Sequence, residues 1–155
     1  MRSAGEVLAF LVVVILVAVF LPRWEGPNRR QHLNEAVTVG NLRTINTLQN
    51  DYAFAHPGQG FSCELSRLKG AETANNQGYD RQGFLVSGAQ SGYSFAVIRC
   101  VADSRGATAR YVVTAVPLEP NKSGFRAFCT DESGAIWFDS AGSAENCVAN
   151  RRPLD

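Results

Sequence analysis

The sequence predicts an α+β fold: a long N-terminal helix, apolar at first and then amphipathic, packs on a four-stranded antiparallel sheet followed by a C-terminal disulfide loop. Three observations predict it. An uncharged apolar run covers residues 7–21, apolar residues recur every three or four positions in 28–56, and two-residue alternation marks strands in 92–139. The chain therefore divides into an apolar stem or membrane anchor, 1–27, and a head, 28–155.

The apolar run has no charged or amide side chain and is flanked by Glu6 and Pro22. Its fifteen residues would form a helix of about 22 Å, whereas the apolar core of a bilayer is about 30 Å thick. No pair of small residues marks a cleavage site at its end, so we expect a retained transmembrane anchor rather than a removed signal peptide. Glu6 suits either a cationic partner in a helix bundle or a position among lipid headgroups, and Pro22 either kinks a longer stem or ends its first helix.

Four cysteines, Cys63, Cys100, Cys129 and Cys147, are spread along the head without a Cys-x-x-Cys pair. This pattern disfavours zinc and favours two disulfides formed in an oxidising compartment. Among the three possible pairings we favour Cys63 with Cys100 and Cys129 with Cys147, because the second pair would fix the C-terminal tail to a strand. The positive-inside rule would place the arginine-rich flank after the run in the cytoplasm, but the cysteines weigh more and predict an exported head.

The head begins with a helix, 28–56, that carries one apolar stripe. The stripe comprises Ala36, Val39, Leu42, Ile45, Leu48 and Tyr52. The polar residues expected on the other faces are Asn34, Glu35, Asn41, Arg43, Asn46 and Asn50. A proline and two glycines after His56 end the helix, and a loop, 57–91, with one possible short helix follows.

The predicted sheet, 92–139, consists of two hairpins. Their strands are 92–101 with 108–116, and 125–130 with 135–139. The tail, 140–155, shows no period and is expected to be a surface loop held by Cys147.

Composition and motifs argue against several functions. Fifteen Lys and Arg balance fourteen Asp and Glu, so we expect no nucleic-acid partner. No phosphate loop or nucleophile motif occurs, and we interpret His32 and His56 as helix-surface and helix-end residues. We interpret the acidic residues of the second hairpin as turn residues rather than as ligands of a calcium loop. They are Asp131, Glu132 and Asp139. We therefore expect a protein that is not an enzyme, with no catalytic residue, cofactor or metal.

Several segments resemble bacterial type IV pilins and pseudopilins. The helix segment 34–47 contains Asn-Glu-Ala followed by Leu-Arg-Thr-Ile-Asn-Thr, and the strand segments 92–95, 111–117 and 128–136 are also similar to that family. The resemblance implies a non-enzymatic structural protein that contacts the membrane and other pilin or pseudopilin subunits through its N-terminal helix. Glu6 resembles the family's acidic stem residue, and Pro22 resembles its helix-kinking proline.

The stem also departs from the family, since Glu6 follows Gly5 directly and Arg23 and Trp24 interrupt the apolar character. These departures favour a membrane-anchored protein, or a minor subunit of a type IV pilus or type II secretion pseudopilus, over a major pilin. The implied location is the inner membrane with the head in the periplasm, or the cell surface on an extracellular pilus filament. The alternative is a signal-anchored extracytoplasmic domain that binds a ligand or peptide.

Overall fold

The computed structural model describes residues 5, 28–69 and 83–154. In this part of the chain a 27-residue helix is followed by a sheet with three shorter helices around it. In chain order the elements are α1 (Arg29–Ala55), α2 (Leu65–Leu68), α3 (Phe84–Ser87), β1 (Ala89–Gln90), β2 (Tyr93–Ala102), β3 (Thr108–Pro117), β4 (Ala127–Asp131), β5 (Ile136–Asp139), α4 (Ala144–Asn150) and β6 (Arg152–Pro153).

The sheet is an antiparallel meander in which the spatial order of the strands is their order in the chain, β1 to β6. Phe95 lies opposite Ala115, and Val97 lies opposite Val113. A bulge at Ile98 then shifts the register between β2 and β3. Each neighbouring pair follows directly in sequence, so every connection within the sheet is local.

The helices α1 and α4 pack on opposite faces of the sheet. The apolar residues of α1 join the aromatic residues of one face in a single core. This core includes Leu42, Ile45, Leu48, Tyr52, Tyr93, Phe95, Tyr111, Val113 and Phe128. On the other face α4 covers β4 and β5. Successive strand residues point to opposite faces, which is why Phe128 contacts the core while Cys129 reaches α4.

The prediction of a long N-terminal helix on a four-stranded sheet is wrong. Within the described part of the chain the sheet has six strands, and the long helix that packs on it spans Arg29–Ala55. The two additional strands, β1 and β6, are two residues long, which is too short for alternation to reveal them. The fold is α+β in character, as predicted. The apolar run, Glu6 and Pro22 lie outside the described residues.

The tail is more ordered than the sequence suggested, because it contains α4 and β6 rather than a loop alone. Ser143 caps α4 by accepting a hydrogen bond from the backbone N–H of Asn146, with 3.2 Å between Oγ and N. Arg151 ends the helix in the left-handed conformation, with φ of 47°. A serine cap followed by an acidic residue is a recognised signal for the start of a helix, so this helix could have been predicted from the sequence.

Two disulfides are present, as predicted, and they join Cys63 to Cys100 and Cys129 to Cys147. This is the pairing favoured from the sequence. The first connects the segment after α1 to β2, and the second connects β4 to α4. Because the second pair is 18 residues apart, closing its loop contributes about 3 kcal/mol in the chain-entropy account.

Candidate functional site

The first three turns of α1 expose apolar residues and bury polar ones. Gln31, Glu35 and Thr38 face the sheet side and are at most 8 % exposed. On the opposite side Leu33 is 57 % exposed and Val37 is 43 % exposed. The exposed set, which we call the α1 ridge, comprises Leu33, Ala36, Val37 and Gly40. Their spacing places them on one side of the helix.

This arrangement corrects the apolar stripe predicted from the sequence. Leu42, Ile45, Leu48 and Tyr52 are buried as expected, whereas Ala36 is exposed. Glu35 and Asn46, which were expected on other faces, are buried as well. They are buried because this side of α1 meets polar partners of the sheet and its loops: Asn46 donates to Thr130 Oγ1 at 2.8 Å and accepts from Tyr111 Oη at 3.0 Å.

Glu35 is the principal buried charge beneath the ridge. One of its carboxylate oxygens accepts the backbone N–H groups of Phe125 and Arg126, at 2.9 and 3.0 Å. The other oxygen accepts Nε–H of Arg126 at 2.9 Å. The guanidinium of Arg126 lies 5.2 Å from the ring centres of both Phe128 and Phe138. We call this ion pair with its hydrogen bonds the Glu35 anchor.

Burial alone would raise the pKa of the Glu35 carboxyl. The two backbone N–H groups and the Arg126 side chain outweigh burial and hold the pKa below its ordinary value. The carboxylate is therefore ionised in the folded protein at neutral pH.

Two further side chains of α1 attach the same loop. Asn34 Nδ2 donates to the carbonyl oxygen of Ser123 at 2.8 Å, and Gln31 Nε2 donates to that of Asn121 at 3.3 Å. With the Glu35 anchor, they hold the loop between β3 and β4 against α1. The helix is thereby fixed with its α1 ridge outward.

The two disulfides differ in their access to solvent. Cys63 is exposed and Cys100 is half-buried, and Cys63 borders a cavity of about 330 Å³ beside Phe61 and Arg67. By contrast, Cys129 and Cys147 are 1 % and 0 % exposed. A reductant in water therefore reaches the first disulfide more readily.

Brief treatment of the folded protein with a mild thiol reductant, followed by alkylation, is expected to modify Cys63 and Cys100 before the second pair. The physical reason is access, since attack requires a thiolate to approach a sulfur atom. Peptide mass spectrometry at successive times measures the order. A fully denatured sample is the control, and there both pairs should be modified together. Earlier modification of Cys129 and Cys147 in the folded protein would contradict the expectation.

The polar residues weighed as catalytic or metal-binding candidates lie apart. His32 is near the start of α1, with Nδ1 3.9 Å from Glu35, while His56 ends the helix and stacks on Tyr52 with ring centres 4.3 Å apart. Asp131 and Asp139 accept backbone N–H groups of their own turns. Within the described ranges no group of three or more His, Cys, Asp or Glu residues could hold a metal ion.

The two residues of the stem that were predicted to act in assembly, Glu6 and Pro22, lie outside the described residues. Among residues 28–69 and 83–154, no helix combines the length and the apolar character needed to cross a membrane.

Comparison of the chain with known proteins gives no match: no family model fits it, and neither a curated protein nor a solved structure is similar to it at a significant level.

Proposed function

We propose that this chain is a non-enzymatic structural protein of the pilin-like kind, either membrane-anchored or a minor subunit of a type IV pilus or of a type II secretion pseudopilus. The observation that carries the proposal is the inverted polarity of the first turns of α1. Because this part of α1 buries a glutamate and exposes a leucine and a valine, its apolar side is available for contact with a partner outside the domain.

The α1 ridge suits the side of another helix. Ala36 and Gly40 are small, and small residues let two helix backbones approach closely. Apart from the local backbone of α1, no atom of the described residues lies within 4 Å of the position where a Cβ atom of Gly40 would be, so the surface there is open. The ridge also follows the apolar run, 7–21, by a dozen residues. We therefore propose that it continues the packing surface of the stem toward neighbouring subunits.

The disulfides support an oxidising location for the head, in the periplasm or on the surface of an extracellular pilus. With the stem in the inner membrane, the α1 ridge would then lie close to the membrane, where neighbouring stems meet.

Replacing Val37 by glutamate in the full-length chain is expected to reduce its cross-linking to neighbouring subunits by about tenfold or more, because a charge would be buried between apolar helices. The measurement is cross-linking in the membrane fraction, with a photoreactive amino acid at Leu33. Asn50→Glu is the matched control, since it adds the same charge at another exposed position of α1.

Unchanged cross-linking in Val37→Glu, or equal loss in both variants, would refute the role of the α1 ridge. A wild-type chain that neither enters membranes nor co-fractionates with a pilus or pseudopilus would refute the proposed function as a whole.

The second candidate is a signal-anchored extracytoplasmic domain that binds a ligand or peptide. One observation favours it, which is a cleft on the face of the sheet opposite α1, lined by three arginines. Such a domain would keep its ligand after Val37→Glu, whereas a subunit that acts only through its stem would lose its partners.

A further inference from the structure

The face of the sheet opposite α1 is only partly covered. The helix α4 lies over β4 and β5 and leaves β2 and the start of β3 open. A cleft of about 230 Å³ is found at this boundary. Its lining includes Val101, Arg99, Arg110, Arg151, Asp131 and Glu132. Val101 is 45 % exposed, so part of the apolar surface beside these charges meets water.

The two carboxylates of the cleft already have donors. Asp131 pairs with Arg151 at 3.2 Å and accepts the hydroxyl of Ser133 at 2.6 Å. Glu132 accepts the backbone N–H of Tyr111 at 3.4 Å. Arg151 is engaged too, and its guanidinium lies 4.7 Å from the ring centre of Trp137. These groups build the wall of the cleft.

Arg99 and Arg110 differ from them, since neither side chain has a hydrogen bond or ion pair with any of the described residues. Arg99 lies opposite Val112, and Arg110 lies opposite Val101. The two arginines are therefore diagonal neighbours on one face, with Cβ atoms about 7–8 Å apart. Two like charges so placed repel each other, and an anion between them would relieve the repulsion.

The net charge and the volume of the cleft indicate which kind of anion it would bind. Three arginines against two carboxylates give the lining a net charge of +1, which matches a carboxylate better than a phosphate dianion. At about 230 Å³ the cleft is smaller than the roughly 300–1,000 Å³ of pockets for drug-sized ligands, so it suits side chains better than a whole small molecule.

The neighbouring sheet edge favours an extended partner. The strand β1 pairs with β2 only through Tyr93 and Ser94. From Ala96 to Ala102 no strand among the described residues pairs with the outer edge of β2. Backbone groups at such an edge can bind an added strand, while side chains on the same face give specificity.

We propose that this cleft binds carboxylate side chains of an extended acidic segment of a partner protein, and that Arg99 and Arg110 are its anchors. A guanidinium presents paired donors that match the two oxygens of a carboxylate. This inference does not depend on the stem or on the α1 ridge; it rests on the second candidate function, which uses the same cleft, and names the class of partner that the cleft would bind.

The test uses the full-length oxidised chain in detergent and two fluorescent peptides, one alternating Glu with Thr and Val, the other identical but with Gln for every Glu. We expect the Glu peptide to bind and the Gln peptide not to bind, with affinity that falls as salt rises. Arg99→Gln and Arg110→Gln should each weaken binding about tenfold. Arg43→Gln is the matched control, an exposed arginine on α1.

Equal binding of the two peptides, or no binding of either, overturns the proposal. Unchanged affinity in the Arg99→Gln and Arg110→Gln variants also overturns it, provided that their thermal unfolding matches the wild type. Tighter binding of inorganic phosphate, or of vesicles containing an anionic phospholipid, would assign the cleft to another ligand. Val37→Glu should bind the Glu peptide as the wild type does, so failure of the α1 ridge and failure of the cleft can be told apart.

Discussion

Replacing Glu35 by alanine is expected to lower the free energy of unfolding of the head by about 3 kcal/mol, the lower end of the range for breaking a buried ion pair. The variant would leave two backbone N–H groups and Arg126 without their acceptor. We expect the lower end because the Arg126 side chain is 35 % exposed while that of Glu35 is 2 % exposed, so water can solvate part of the guanidinium. Urea unfolding followed by circular dichroism measures the change.

Glu64→Ala is the control for this variant. Glu64 forms an ion pair with Arg67 at 3.1 Å, and both side chains are more than half exposed. Its loss should change stability by less than about 1 kcal/mol. Equal effects of the two substitutions would show that the Glu35 anchor contributes no more than a surface ion pair.

The Glu35 anchor also predicts a dependence on pH. The folded-state pKa of Glu35 is lowered from an ordinary value of 4.5, so its contribution to stability is present above that pH and is lost as the pH falls through the folded-state pKa. Glu35→Gln, which cannot ionise, should lose less stability than the wild type on acidification over this range. A wild type and variant with parallel stability curves would contradict the assignment.

Replacing Gly124 by alanine is expected to destabilise the head by about 3 kcal/mol, through overpacking and a broken hydrogen bond. A Cβ atom at this position would lie 2.6 Å from Cζ of Tyr93 and would overlap its hydroxyl. Tyr93 is fully buried, and its hydroxyl donates to the carbonyl oxygen of Arg126 at 2.8 Å. The Tyr93 ring would have to shift, which would break this hydrogen bond. Thermal unfolding measures the effect.

Gly40→Ala is the matched substitution, and the sign of its effect should be opposite. Gly40 is exposed within α1, and outside the local helix backbone no heavy atom in 28–69 or 83–154 lies within 4 Å of the added Cβ position. Alanine should therefore stabilise the helix by about 0.5–1 kcal/mol. Effects of the same sign at both positions would contradict this steric account.

Local periodicity in the sequence was enough to predict part of the fold. The predicted hairpin 92–101 with 108–116 lies within one residue of β2 and β3, and the helix predicted over 28–56 is found at Arg29–Ala55. Each of these segments has an apolar period long enough to be recognised. The strands β1 and β6 were missed because two residues cannot show a period, and they exist only through pairing with a neighbouring strand.

The candidate surfaces were harder to predict. Glu35 was assigned to an outer face because it is charged, but it is buried against a loop some 90 positions away in sequence. Neither the partner nor the burial can be read from a helical period. Arg99 and Arg110 were not singled out at all. Their positions in two paired strands were a usable signal, but the bulge at Ile98 changes which residues share a face.

The meander described above has a consequence for the way this chain reaches its folded state. A chain that emerges from a ribosome or a membrane with its N-terminus first releases each strand just after the strand with which it pairs. The cysteines follow the same rule, because Cys63 bonds to the next cysteine, Cys100, and Cys129 to the next, Cys147. An oxidase that joined thiols in their order of emergence would thus give the native pairing directly, without disulfide reshuffling, and the sheet could grow by adding strands at one edge.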